Sequence, residues 1–286
     1  MQNFLNKPHY IFRPSQIVRR LIRRAPDTVN LPWGLPISIN PNEDIGHSLA
    51  TTGIYDLTVS EALWRLTDSS DVALDVGANI GYMSALLSVR AASVISFEPH
   101  PQLFERLSLN IQRWKANIEI HQLALSDRSG EALLSLSEAF ERNEGVGSIS
   151  YPSVTGRNIK VQTVKLSDLK IDNIRIAKID VEGHELNVLR GAGPLVGQLR
   201  DIVFEEHGTI PTPTTQYLHA RGYELFYVGR KMFGPSLISI QTSPKRRDPY
   251  APQSLLATLD VARAQKRMKP LGWRVLKSSF QEHTPS

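Results

Sequence analysis

The chain contains no cysteine, which excludes disulfides, zinc-thiolate sites, iron-sulfur clusters and a thiol nucleophile together. It also lacks any apolar run approaching the roughly eighteen residues that a membrane-spanning helix needs. No acidic residue occurs from Met1 to Pro26, and that stretch has no apolar signal core. Its basic, acid-free character is shared with organelle transit peptides, although it is poor in serine. The expectation from these absences is a cytoplasmic protein without a transmembrane segment.

The net charge of +5 is unevenly placed. Residues 1–30 hold six Lys/Arg against one acid and residues 241–286 hold nine against three, which leaves the middle of the chain at −6. An acidic body is a poor binder of phosphate backbones, so no nucleic-acid partner is expected. The basic residues belong to two terminal segments. In the first, Ser15 to Arg24 alternates apolar and arginine pairs at helical spacing, which predicts an amphipathic helix that is either a packed or frayed terminal helix with solvated arginines or in peripheral contact with an anionic membrane.

The strongest local pattern is in residues 71–82. Val72, Ala73, Leu74 and Val76 form a short apolar run ending in Asp75-Val76-Gly77-Ala78-Asn79-Ile80-Gly81-Tyr82, and Met83 to Val89 reads as a helix. A second strand, Ser93 to Phe97, ends in Glu98-Pro99. Glu98 thus lies about 20 residues beyond the turn, where doubly wound sheets place the acid that binds ribose hydroxyls. A dinucleotide fingerprint begun at Gly77 would need glycine at Asn79 and at Tyr82. Glycines at Gly77 and Gly81 only, with an acid at Asp75, suit a ligand with a ribose and a charged amino-acid tail but no pyrophosphate. S-adenosylmethionine has that chemistry. Taken singly, Gly77 and Gly81 read as ordinary turn glycines and Asp75 as a capping acid; together with Glu98 they read as a cofactor site.

Pro101 to Trp114 has helical periodicity and Ile118 to Leu125 returns as a strand. Alternating strands and helices predict an α/β, doubly wound, mostly parallel sheet. The third strand closes in Ala124-Leu125-Ser126-Asp127, which makes Ala124 and Leu125 candidate contacts for an adenine ring. Glu131–Leu136 and Lys160–Val164 then read as a short β insertion around a long polar stretch, assigned by its length to acceptor binding, with disorder as the alternative. Ile174 to Ile179 is a strand ending in Asp180-Val181-Glu182-Gly183-His184-Glu185, followed by a helix from Leu186 to Leu199. Asp201 to Phe204 is a strand ending in Glu205-Glu206-His207. Two closing strands lie at Tyr223–Val228 and Leu237–Ile240, and beyond Thr242 a helix over Ser254–Met268 falls in a basic segment. The expected organisation is an N-terminal extension (1–40), a catalytic domain (41–242) and a C-terminal tail outside the core (243–286).

With Asp75 to Tyr82, Phe97-Glu98-Pro99, Ala124 to Asp127 and Ile179 to Glu185 in view, the chain resembles the FkbM-type S-adenosylmethionine-dependent methyltransferases over residues 40–240. The resemblance implies a seven-stranded class I methyltransferase sheet and O-methylation of a hydroxyl on a sugar, glycan or natural product. It also implies that Asp75, Gly77, Asn79, Gly81 and Tyr82, with Ala78 between them, line the methionine end of the cofactor. Glu98, followed by Pro99, would take its ribose.

Methyl transfer to oxygen needs alignment and a proton acceptor. Asp180 is the first candidate base, with His184 and His207 behind it; Asp180 can equally hold the cofactor, and Glu182 can cap the following helix. Magnesium on Asp180, Glu182 and Glu206 is conceivable, but the spacing does not require it, and no metal is expected. Two other readings compete. A nucleotide-dependent oxidoreductase is opposed by the missing glycine, and a non-catalytic binding module by the set of strand-end acids.

Overall fold

The computed structural model describes residues 26–114, 116–136, 147–150, 157–241 and 253–277. Its strands in chain order are β1 (Thr28–Asn30), β2 (Pro36–Ser38), β3 (Val72–Val76), β4 (Ser93–Phe97), β5 (Ile118–His121), β6 (Ala124–Leu125), β7 (Gly130–Leu136), β8 (Gly147–Ser150), β9 (Arg157–Val164), β10 (Ile174–Ile179), β11 (Asp201–Glu206), β12 (Glu224–Lys231), β13 (Gly234–Ser239) and β14 (Gln253–Thr258). The α-helices are α1 (Asp44–Thr52), α2 (Leu57–Leu66), α3 (Tyr82–Ser88), α4 (Pro101–Trp114), α5 (Glu185–Ala192), α6 (Pro213–His219), α7 (Val261–Arg267) and α8 (Arg274–Lys277). The amphipathic stretch Ser15–Arg24 and most of the polar stretch between β7 and β9 lie outside the described residues.

The main sheet has eight strands in the order β5-β4-β3-β10-β11-β14-β12-β13. Neighbours from β5 through β11 are parallel, and β14 is antiparallel to both β11 and β12. Parallel strands are buried on both faces, which is why β3, β4 and β10 read as nearly continuous apolar runs. Their side chains divide between two cores. Ala73, Ile176 and Val203 pack on one side with α2, α3 and residues 29–39, whereas Leu74, Ala177, Ile202 and Phe204 pack on the other with α5. Helices on both faces of a mostly parallel sheet make this a doubly wound, class I methyltransferase-like architecture. The eighth strand, beyond the expected seven, is β13, which extends the edge as a hairpin with β12.

Three expectations need correction. The run Ile118–Leu125 is two strands: β5 closes the edge of the main sheet, whereas β6 pairs with β9 in a separate four-stranded sheet ordered β6-β9-β7-β8. The C-terminal segment is not a tail. Residues 253–258 form β14 inside the main sheet, with Leu255, Leu256 and Ala257 fully buried, and the helix begins only at Val261, where Asp260 accepts from the backbone N–H of Arg263 at 3.0 Å. A short apolar run buried on both faces carries no periodicity that separates strand from helix, so this segment was open to misreading. The described part of the first forty residues is also docked. Leu31, Trp33, Ile37 and Ile39 are buried, and Ser38 takes the Asn110 side chain of α4 as a hydrogen-bond partner at 2.8 Å.

Ion pairs fasten the C-terminal segment. Glu61 and Arg65, one turn apart on α2, pair in the interior. Glu61 accepts the backbone N–H groups of Arg274 and Val275 at 2.9 Å each, while Arg65 donates to the carbonyls of Arg267, Lys269 and Gly272. A buried charge pair is stabilising only when its remaining hydrogen bonds are met, and here the C-terminal backbone meets them.

Candidate active site

The site starts where β3 ends. The N–H groups of Gly77 and Ala78 both donate to the Phe97 carbonyl at 3.0 Å, which turns the chain sharply over the end of β4. Gly77 has φ +78°, and a Cβ there would fall 2.0 Å from the Asp180 carbonyl oxygen. Only glycine allows both the left-handed backbone and this approach to the end of β10. Asn79 also has positive φ, with its side chain accepting from Ile80 N at 2.7 Å, and its own N–H donates to Glu98 Oε2 at 2.8 Å. Glu98 Oε1 accepts from His100 N at 2.9 Å. Burial pushes the Glu98 carboxyl up to about 7, against these two backbone donors.

The structure thus brings Gly77, Ala78, Asn79, Glu98 and Asp180 together at the C-terminal ends of the neighbouring strands β4, β3 and β10, with Gly81 opening α3 and half-buried Pro99 beside Glu98. It places other expected residues inside. Asp75 is fully buried beneath the turn, where it accepts from Ser84 Oγ at 2.6 Å and lies 3.6 Å from Lys178 Nζ; burial raises its pKa. Tyr82 is buried between Trp33 and Tyr55, with its hydroxyl 3.0 Å from Ser60 Oγ. Ala124 and Leu125 are buried packing residues of β6. Asp75 and Tyr82 therefore support the turn from behind.

At the ends of β10 and β11, carboxylate oxygens of Asp180, Glu182 and Glu205 lie within 4.8 Å of one another. Lys178 Nζ sits 3.5 Å from Asp180 and donates to the Gly77 carbonyl at 2.7 Å, tying the acids to the glycine turn. His207 Nε2 is 3.7 Å from Glu182. Burial and the nearby Asp180 charge push Glu182 up to about 7. The same two causes, with a hydrogen bond to Asp180, push Glu205 up to about 9. Such crowding of like charges is characteristic of functional sites.

Two residues stand elsewhere than expected. His184 is buried, with Nε2 2.9 Å from Ser126 Oγ, and its charged neighbour is Asp127; burial lowers its pKa. It joins α5 to the end of β6 and stands outside the carboxylate group. Glu206 does not join that group either, because side chains alternate along β11: Glu206 turns to Thr212 Oγ1 at 2.8 Å and Glu205 faces the acids.

Sequence reasoning missed Glu205, Lys178, Tyr55 and Asp56. Asp56 caps α2, accepting from Val59 N at 3.1 Å, and feels the Asp180 charge. The Tyr55 phenol has its pKa raised by burial and then by the charges of Asp180, Asp56, Glu205 and Glu182. The alternation of β11 held the signal for Glu205; nothing local marked Tyr55. A separate cavity of about 410 Å³, lined by Val72, Ser93, His121 and residues 169–172 among others, contains none of these groups.

A family model described as the methyltransferase FkbM domain matches residues 75–225, which span the turn, the carboxylate group and the strands β4, β5, β10 and β11. The hexuronic acid methyltransferase AglP of Haloferax volcanii is 29% identical over 174 residues, covering 58% of this chain and 70% of that one. The AMB antimetabolite synthetase AmbE of Pseudomonas aeruginosa is 26% identical over 176 residues, 48% of this chain but only 8% of its own length. Among solved structures, the methyltransferase FkbM of Methylobacillus flagellatus KT superposes with a TM-score of 0.44 at 15% identity, over 66% of this chain and 44% of that one.

Proposed function

The chain belongs to the FkbM methyltransferase domain family, and from that premise we propose that it is an S-adenosylmethionine-dependent enzyme methylating a hydroxyl of a sugar, glycan or natural product. The observation that carries this reading is the contact of Gly77 with the Asp180 carbonyl, which sets the glycine turn and the carboxylate group side by side. One is built for a cofactor and the other for an acceptor. The methyltransferase unit in this reading runs through residue 277, since β14 completes its sheet and Trp273, Val275 and Leu276 are buried in its core.

The residues present fit the cofactor. A buried carboxylate on the strand beside a glycine turn accepts ribose hydroxyls, so Glu98 would hold the ribose, and Gly77, Ala78 and Asn79 would hold the amino-acid end. When bound, the cofactor supplies an electrophilic methyl group on a sulfonium. The chain aligns the acceptor oxygen and excludes water. Asp180, ion-paired with Lys178, accepts the hydrogen bond of the acceptor hydroxyl and takes its proton as the C–O bond forms. Glu205, holding its own proton at neutral pH, donates to Asp180 and keeps that carboxylate oriented. Glu182, poised near 7 beside half-exposed His207, passes the proton on to solvent. His184 has the separate work of fixing the start of α5.

The same electrostatics support a polyhydroxyl acceptor. Partly protonated Glu182 is a hydrogen-bond donor as well as an acceptor, which suits polyhydroxyl groups. The relative named for hexuronic acid methylation directs the first screen to sugars and uronic acids.

Calorimetric titration with S-adenosylhomocysteine, run beside NAD and NADP, tests the cofactor. Binding of the first with no response to the dinucleotides is expected; a response to the dinucleotides alone would make this an oxidoreductase and Glu98 the acid of a redox site. Chromatography of methylated products from a panel of neutral and uronic glycans then tests the acceptor.

A further inference from the structure

Far along the chain from the acid clusters, two turns present apolar side chains to solvent. Phe233, at the tip of the β12–β13 hairpin, is 66% exposed, its neighbour Met232 42%, and Leu271, between α7 and α8, 73%. Scattered exposed apolar residues need no explanation, but these three are held together. Gly272 N donates to the Phe233 carbonyl at 2.6 Å and Trp273 Nε1 to the Met232 carbonyl at 3.1 Å. A Cβ on Gly234 would lie 2.8 Å from Gly272 O and 2.9 Å from Pro270 Cα, so the two turns are in backbone contact. Behind them Arg65 holds the carbonyls of Lys269 and Gly272, and Trp273, Val275 and Leu276 are fully buried. The apolar side chains therefore stand on a fixed platform.

The two segments that carry them hold charge of one sign. Residues 225–241 and 261–277 contain no Asp or Glu, and Arg230, Lys231, Lys266, Lys269 and Arg274 are all exposed. We propose that the paired turns 231–234 and 269–272 form a docking surface for a bilayer bearing anionic headgroups, with Phe233 and Leu271 entering the interface and the flanking cations meeting the headgroups. A protruding apolar pair ringed by lysine and arginine fits a deformable anionic surface. The proposal is independent of the acceptor assigned above.

The test is sedimentation of the full chain with phosphatidylcholine vesicles and with vesicles that also contain phosphatidylglycerol, for the wild type and for the double variant Phe233→Ser, Leu271→Ser. Binding to the anionic vesicles only, weakened by at least about tenfold in the double variant and by added salt, is expected. Equal binding of both proteins would assign membrane contact to another segment and overturn the proposal, as would the absence of binding by the wild type. A lowered unfolding temperature in the double variant would show that the pair packs against this chain. A dimer of the wild type that the substitutions dissolve would make the patch a contact between copies. Either result also overturns it.

Discussion

Asn79 donates its backbone N–H to Glu98 at 2.8 Å, so the turn after β3 and the acid after β4 form one hydrogen-bonded unit. Two backbone donors orient a carboxylate that burial holds near neutrality, at about 7. A ligand that donates hydroxyls to this group favours its ionised form. Affinity for S-adenosylhomocysteine should therefore rise as pH goes from about 6 to about 8. Glu98→Gln should remove that pH dependence and weaken binding by about 10- to 100-fold, the worth of a hydrogen bond to a charged group. Calorimetry at three pH values checks both, and unchanged affinity in a folded variant would take Glu98 out of the ribose role.

Asp180 is tied to Lys178 at 3.5 Å and shares the strand end with Glu182 and Glu205. Asp180→Asn keeps the size and a hydrogen-bonding oxygen but no longer takes a proton. Turnover should fall by about 100-fold or more, in the range of general-base losses, with cofactor affinity changed far less. A variant with near-wild-type turnover would leave Asp180 a structural residue. One that loses cofactor binding first would give it to the amino-acid tail of the cofactor.

Glu205 carries a stability consequence. Its folded pKa of about 9 lies above the ordinary carboxylate value, so the folded state binds the proton more tightly than the unfolded chain. The resulting contribution is fully present below the unfolded pKa and is lost as pH rises through the folded one. Glu205→Gln removes this loss. The variant should unfold at a higher temperature than wild type at pH 8, with little difference at pH about 4, as measured by thermal melts across the range. A difference that does not grow with pH would mean that Glu205 is not held protonated.

Much of this was legible in the residues, and the illegible part has physical causes. The turn Gly77–Gly81 and the acid Glu98 could be read because chain-local geometry demands those residue types in that order. The ends of β10 and β11 could be read because an apolar run that stops in acids has few other uses. Glu205 was hidden behind Glu206, since the choice between neighbours depends on which face of β11 meets the acids. Tyr55 and Asp56 reach the site only through the path of α2 across the sheet, a long-range relationship that leaves no periodic mark. Asp75 and Tyr82 lie within the motif, yet their side chains point into the protein, because the turn itself uses backbone while its side chains serve as props.

The position of β14 leads to the last prediction. A strand that follows the β12–β13 hairpin in sequence inserts between β11 and β12, so β12 touches the parallel part of the sheet only through it. A chain ending at Thr242 would lose Leu255, Leu256, Trp273, Val275 and Leu276, all fully buried. At about 1.5–3 kcal/mol for each such side chain, the loss is comparable to the whole stability of a typical domain, about 5–15 kcal/mol. It would also strip the carbonyl partners from Arg65 and the N–H partners from Glu61, leaving a buried ion pair underbonded, and expose an edge of β11 that is ready to pair with other chains. The truncated chain should show no cooperative unfolding transition by calorimetry and should aggregate on expression. A soluble truncated protein with a sharp transition and intact S-adenosylhomocysteine binding would mean that the first 242 residues fold alone and that β14 is an addition to a finished sheet.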